Sequence, residues 1–294
     1  MTKRRWRLLL IVVALLALAG VAVVSRRKPP PPQVFVDRPR LAPGVSMRDI
    51  TFYSEALHRD MQYRILLPET SGSQKLAVVY LLHGGGGTFR DWSNYSDVAK
   101  FASGTLLVMP QGDYSYYVNA ALRPQDRYED YIVSDLAGDV ERRFPARSDR
   151  GGRAIMGVSM GGFGAINLAL RHPEKFAFAG AISAAIDVPR RLFSWKRLNQ
   201  SRAFRDMFGA DGSETRRNNN PFVLVRSAEP GKTPYFYLAC GKQEALLAPN
   251  REFAALLDKS NIAHEFHIVP GGHEWNQWNA VLPRVFEALH RHIE

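Results

Sequence analysis

The sequence predicts an α/β fold, a mostly parallel sheet flanked by helices. Short apolar runs recur at 75–82, 105–109, 154–156, 176–183 and 235–240, with a further strand-like segment at 264–269. The run at 75–82 is almost continuous rather than alternating, as a strand covered on both faces must be. Helical patterns at 91–103, 126–144, 164–170, 251–259 and 280–291 fall between these runs. Strands that alternate with helices pair in parallel, and ligands then sit beyond the strands' carboxyl ends.

Taken in order, the chain opens with five residues, 3–7, that hold four basic side chains. Residues 8–24 are apolar or small and carry no charge, and Arg26-Arg27-Lys28 and four prolines follow. This predicts an apolar signal or anchor helix within 1–28 and an exported catalytic domain. Cleavage near Ala17-Leu18-Ala19 and retention as a membrane anchor both fit, and in the second case residues 8–24 associate with the membrane. Residues 29–44 read as a proline-rich spacer and 45–294 as the catalytic domain. Within that domain, 49–55 and 61–67 form an antiparallel hairpin at the sheet edge. The arginine-rich stretch 184–233 reads as an insertion of helices and loops over the sheet's carboxyl edge.

Composition narrows the function classes. The net charge is +11, but residues 1–32 hold seven basic and no acidic residues. The rest of the chain is nearly balanced, which is no footprint for nucleic acid. The one cysteine, Cys240, permits no intrachain disulfide and lies in an apolar run, so a buried thiol is expected.

The chemistry is concentrated at Gly157-Val158-Ser159-Met160-Gly161, between a predicted strand and a predicted helix. That is the setting of a nucleophile elbow, a strained turn that exposes a serine hydroxyl. A serine needs a base, and His273 follows the last strand in Pro270-Gly-Gly-His-Glu-Trp275. The base needs an orienting acid, and Glu244 is the first carboxylate after the strand at 235–240. The order serine, acid, histidine is that of α/β-hydrolases. In that fold the backbone N–H groups of Met160 and of Gly85, in the His83-Gly84-Gly85 turn, would form an oxyanion hole. No metal or cofactor is needed. Tyr116, Tyr117, Trp275 and Trp278 are candidates to wall an aromatic or sugar-bearing substrate, with core packing as the alternative.

Five stretches also carry a family resemblance. They are Tyr80-Leu-Leu-His-Gly84, Tyr128-Glu-Asp-Tyr131, residues 153–170 with His172-Pro173, Cys240-Gly-Lys-Gln-Glu-Ala-Leu-Leu247, and Gly271-Gly-His-Glu-Trp-Asn-Gln-Trp278. From about residue 49 to 290 the chain resembles the esterase D / feruloyl esterase-like family of α/β-hydrolases. Relatives of that family include S-formylglutathione hydrolases, enterochelin esterases and secreted mycolyltransferases. The resemblance implies a Ser159–His273–Glu244 triad, with Gly85 and Met160 as the oxyanion hole. Many members have aspartate where this chain has Glu244, although the mycolyltransferases are similar to it there.

The expected function is therefore a serine esterase acting on a small-molecule or glycan-linked ester through an acyl-enzyme on Ser159. An acyltransferase with an alcohol or sugar acceptor shares that intermediate. An inactive hydrolase fold that binds the cell envelope is the reading from another class.

Overall fold

A computed structural model of the chain describes residues 36–69 and 74–293. Eight strands form one sheet in the order β1-β2-β4-β3-β5-β6-β7-β8. They are β1 (Val45–Ser54), β2 (Arg59–Pro68), β3 (Ala77–Leu82), β4 (Thr105–Pro110), β5 (Arg153–Val158), β6 (Phe178–Ile182), β7 (Tyr235–Gly241) and β8 (His264–Val269). The hairpin β1–β2 is antiparallel, as is the β2–β4 pair, and every other pairing is parallel. The parallel run places the ends of β3 to β8 on one edge, and that edge carries the site.

The helices are α1 (Asp91–Tyr95), α2, α3 (Met160–Arg171), α4 (Leu198–Phe208), α5 (Glu214–Asn218), α6 (Pro221–Ser227), α7 (Leu247–Lys259) and α8 (Trp275–His290). α2 is continuous through α-helical Tyr128–Asp130, π-helical Tyr131–Leu136 and α-helical Ala137–Arg143. Alternate residues of β3 serve two cores. Val78, Tyr80 and Leu82 face the layer containing α2, α3 and α7, while Ala77, Val79 and Leu81 face α1 and α8. A strand that must satisfy both layers has no wet face, hence the unbroken apolar run.

Several boundaries differ from the sequence expectation for local reasons. The helix expected over 91–103 stops at Tyr95, because Ser96 is extended and its hydroxyl donates to the Trp92 carbonyl (2.6 Å). A serine side chain that takes a backbone acceptor competes with helix continuation. A separate 3₁₀ turn follows at Val98–Phe101. α7 and α8 start earlier than 251 and 280. Pro249 sits in the first turn of α7, where no N–H is required. α8 accommodates Pro283 in its interior, whereas a start at 280 would place that proline in the first turn.

Of the spacer expected over 29–44, residues 36–44 are described. Arg38 N–H donates to Asn94 Oδ1 (2.9 Å) and Arg40 N–H to the Ser93 carbonyl (2.7 Å), so the chain is tied to α1 from there onward. Arg38–Glu294 forms one compact unit. The stretch at 8–24 lies outside the described residues. Among those described, no helix is long and apolar enough to cross a membrane.

The β5–α3 turn brings backbone against backbone. A Cβ on Gly157 would run into the Gly161 backbone, and one on Gly161 into the Leu82 carbonyl of β3. Because both obstacles are backbone, Gly161→Ala is expected to destabilise the protein by about 3 kcal/mol. Thermal unfolding should fall by roughly 6–12 °C, and an unchanged melting temperature would show that β3 and α3 do not meet this closely.

Candidate active site

Ser159 links the end of β5 to the start of α3 with φ 56° and ψ −114°. This is a left-handed conformation that a serine adopts only when its surroundings impose it. Those surroundings are visible in the backbone. Ser159 N–H donates to the Ile182 carbonyl (3.0 Å), and its own carbonyl accepts from Phe163 (3.1 Å) and Ala185 (3.0 Å). The turn is thereby locked to β6 and α3, and the side chain is left free to face the crevice.

The residues expected to act with Ser159 come together from separate strand ends. His273 Nε2 lies 2.9 Å from Ser159 Oγ, and His273 Nδ1 lies 2.7 Å from Glu244 Oε2. Bonding to a carboxylate puts the proton on Nδ1, so Nε2 accepts from the serine hydroxyl. The Glu244 side chain is 1% exposed, whereas that of His273 is 41% exposed. A carboxylate buried to that degree must be fully hydrogen-bonded. Its second oxygen accepts from the Ser183 hydroxyl (2.6 Å) and from Gly241 N–H (2.9 Å). Ser183 accepts in turn from Trp278 Nε1 (3.0 Å).

Ser183 was missed in the sequence reading. It is one serine in an apolar strand end, and its role depends on a partner 61 residues away. It holds φ 53° and donates its backbone N–H to Ala239 of β7 (2.7 Å). It is therefore a positioning residue for Glu244.

The role of His83 is likewise not readable in the sequence, since its partner Gly112 lies 29 residues away. His83 is fully buried at the end of β3, and burial holds its pKa below the usual imidazole value. The neutral ring accepts from Gly112 N–H at Nε2 (2.9 Å), which leaves Nδ1–H to donate to the Gly84 carbonyl (2.8 Å). Tyr117 O–H donates to the His83 carbonyl (3.0 Å). These bonds fix the Gly84–Gly85 turn against the loop after β4. A Cβ built on Gly85 would lie 3.9 Å from Met160 Cβ, so the two proposed oxyanion donors flank one space. Met160 is the first residue of α3, and its N–H has no acceptor within the helix.

The crevice beside Ser159 has a volume of about 150 Å³ and is lined by Gly84, Gly85, Gly87, Asp91, Ser159, His273, Trp275 and Trp278. Trp278 meets the His273 ring edge-on at 5.0 Å, and Trp275 packs on Trp278 at 5.1 Å. Tyr116 and Tyr117 do not line it, contrary to the expectation that they wall a substrate. Both are buried, with Tyr116 packed on Phe163, Phe204 and Phe208. Both take positive φ (53° and 57°), which turns them into the core and leaves Tyr114, 45% exposed, against Gly85. Cys240 is buried as expected, and burial pushes its thiol up to about 12. Among the described residues no group of three or more His, Cys, Asp or Glu could hold a metal ion.

A family model described as "Putative esterase" matches residues 54–289. The chain belongs to this esterase family. It is 25% identical over 262 residues to an acetyl esterase of Caldicellulosiruptor saccharolyticus, covering 83% of this chain and 97% of the relative. It is 31% identical over 254 residues to Esterase Rv1288 of Mycobacterium tuberculosis, covering 76% of this chain but 54% of that longer protein. Among solved structures, it is similar to the Staphylococcus aureus fluorophosphonate-binding serine hydrolase FphF, with 25% identity and a TM-score of 0.73 over 83% of this chain and 98% of that one. The fold is that of an α/β-hydrolase, and the esterase is a carboxylic ester hydrolase of the serine type.

Removing Ser183 Oγ leaves Glu244 one hydrogen bond short and Trp278 Nε1–H unpaired. Ser183→Ala is expected to cost about 1–3 kcal/mol of stability and to lower kcat by roughly 10- to 100-fold, since the imidazole loses its fixed orientation. Steady-state kinetics on a p-nitrophenyl ester should show this with KM little changed. A loss confined to KM would mean that Ser183 shapes substrate binding instead.

Proposed function

We propose that Ser159, His273 and Glu244 hydrolyse short-chain carboxylic esters through an acyl-enzyme. The observation that carries this is the unbroken hydrogen-bond chain from Ser159 Oγ through His273 to the buried Glu244, opening on a small crevice. Ser159 Oγ attacks the ester carbonyl carbon while His273 Nε2 takes its proton. Glu244 holds the ring and stabilises the imidazolium. The backbone N–H groups of Met160 and Gly85 donate to the tetrahedral oxyanion. Collapse breaks the bond to the leaving oxygen, which takes the proton from Nε2 and departs as the alcohol. Water then attacks the acyl-serine with His273 again as base, and the acid is released as Ser159 regains its proton.

The acyl-chain preference rests on size. Pockets for drug-sized ligands run to roughly 300–1,000 Å³, and about 150 Å³ beside Ser159 suits an acyl group of a few carbons. Trp275 and Trp278 form its apolar wall, and Tyr114 stands at the rim on the Gly85 side. The N-terminal sequence supports a location outside the cytoplasm, as a secreted or membrane-anchored enzyme, because a basic start, an uncharged apolar run and a proline-rich spacer precede the domain.

Hydrolysis of p-nitrophenyl esters should be fastest from acetyl to butyryl and decline for longer chains. Ser159→Ala should lose about 10⁴-fold or more in kcat, and Glu244→Gln about 10²- to 10⁴-fold. Full activity in Ser159→Ala would remove the nucleophile assignment, and a maximum at long chains would remove the size argument. Cell fractionation should find the full chain in the membrane or outside the cytoplasm, and recovery in the cytosol alone would overturn the export reading.

A further inference from the structure

The segment between β6 and β7 carries positive charge that neither the fold nor the ester site uses. From Pro189 to Arg205 the sequence holds Arg190, Arg191, Lys196, Arg197, Arg202 and Arg205, and no acidic residue. Arg190 pairs with Glu252 (2.7 Å) and Arg191 with Asp187 (2.8 Å). Lys196, Arg197, Arg202 and Arg205 are exposed, and the ion pairs among the described residues include none of them. Arg202 and Arg205 are three apart on α4, so they share one helix face, while Phe204 and Phe208 anchor the helix on Tyr116.

Apolar groups stand in water beside these cations. Leu192 is 71% exposed, Phe193 39% and Trp195 79%, and the Phe193 and Trp195 rings meet edge-on at 5.1 Å. An exposed ring and an exposed cation meet at one cavity of about 150 Å³, lined by Phe193 and Arg205 together with Arg191, Ser201, Asp211 and Arg216. Arg216 is buried there. Its Nη1 donates to the carbonyls of Pro189 (3.3 Å) and Arg191 (3.1 Å) and its Nη2 to that of Gly209 (2.8 Å), while its buried Nε has no partner. The acidic group on the cavity, Asp211, is 3.4 Å from Arg216 and accepts from Phe193 N–H, which leaves the cationic lining in excess.

We propose that residues 191–205 are a docking surface for an anionic phospholipid bilayer, with the cavity beside Phe193 receiving a headgroup phosphate. Charge and apolarity together select this occupant. A soluble polyanion would answer the four free cations but leave Leu192, Phe193 and Trp195 in water. An apolar protein face would cover the rings and strand the cations. A bilayer supplies both, since Trp and Phe partition to the headgroup–acyl boundary and Lys and Arg meet anionic lipid above it. Guanidinium groups suit phosphate in particular, because their forked donors match its oxygens.

The test uses the full chain with vesicles that contain brominated phosphatidylcholine, either alone or with about 30% phosphatidylglycerol. The signal is quenching of Trp195 emission, taken as the difference between the parent and Trp195→Phe. This local readout is blind to any insertion of residues 8–24. Quenching is expected on the anionic vesicles, weak on neutral ones, and reduced as salt rises from about 50 to 500 mM. Each cation near such a surface strengthens binding about fivefold, so K196E/R197E/R202E/R205E should weaken this contact by roughly 100-fold or more. Hydrolysis of p-nitrophenyl acetate by that variant serves as the check that it is folded. Equal quenching on both vesicles, quenching unchanged by charge reversal, or none at all would overturn the proposal. Charge-dependent binding to heparin without quenching on vesicles would also overturn it, and would assign the patch to a soluble polyanion.

Discussion

The site depends on a carboxylate that water scarcely reaches. The Glu244 side chain is 1% exposed, and a carboxylate so buried is tolerated only when its oxygens are hydrogen-bonded. Three donors from three strand ends answer it: Ser183 after β6, Gly241 at the end of β7, and His273 after β8. Each is useful only if those strands keep their register. The parallel pairing of β6 with β7 and of β7 with β8 is thus part of the chemistry as well as of the fold.

The same edge is stiffened from the other side by a second buried group. His83 at the end of β3 is kept neutral by burial and spans the Gly84 carbonyl and Gly112 N–H. This ties the turn containing Gly85 to the loop after β4, just as Glu244 ties β6, β7 and β8 together. Between the two lies Ser159, whose strained backbone is enforced by the close approach of α3 to β3. Strain of this kind persists only where the surroundings over-determine it, and here a neutral histidine and a buried glutamate flank it.

The stretch after β6 is built on different terms. α4 is held by aromatic contacts to Tyr116, which is why Tyr116 belongs to the core and not to the crevice. The outer side of this stretch keeps exposed cations and rings that the hydrolase core does not require. The polypeptide thus separates an edge that performs chemistry from a β6–β7 segment whose exposed face is free to meet something else.

Much of this was legible in the sequence. Hydrophobic runs without alternation gave the parallel strands, and the glycines around Ser159 gave the elbow, because both follow from sterics within a few residues. The order of Ser159, Glu244 and His273, after β5, β7 and β8, located the three groups, since a parallel sheet brings strand ends to one edge. Ser183, His83 and the inward turn of Tyr116 and Tyr117 were not legible. Their roles rest on hydrogen bonds and ring contacts across tens of residues, and a serine or tyrosine in an apolar context looks the same locally whether it points at a carboxylate, a substrate or the core. The sequence by itself determined which groups are available at the sheet's edge. Only the tertiary structure decided which of them face one another, because that depends on strand register and on which buried charges and donors must be paired.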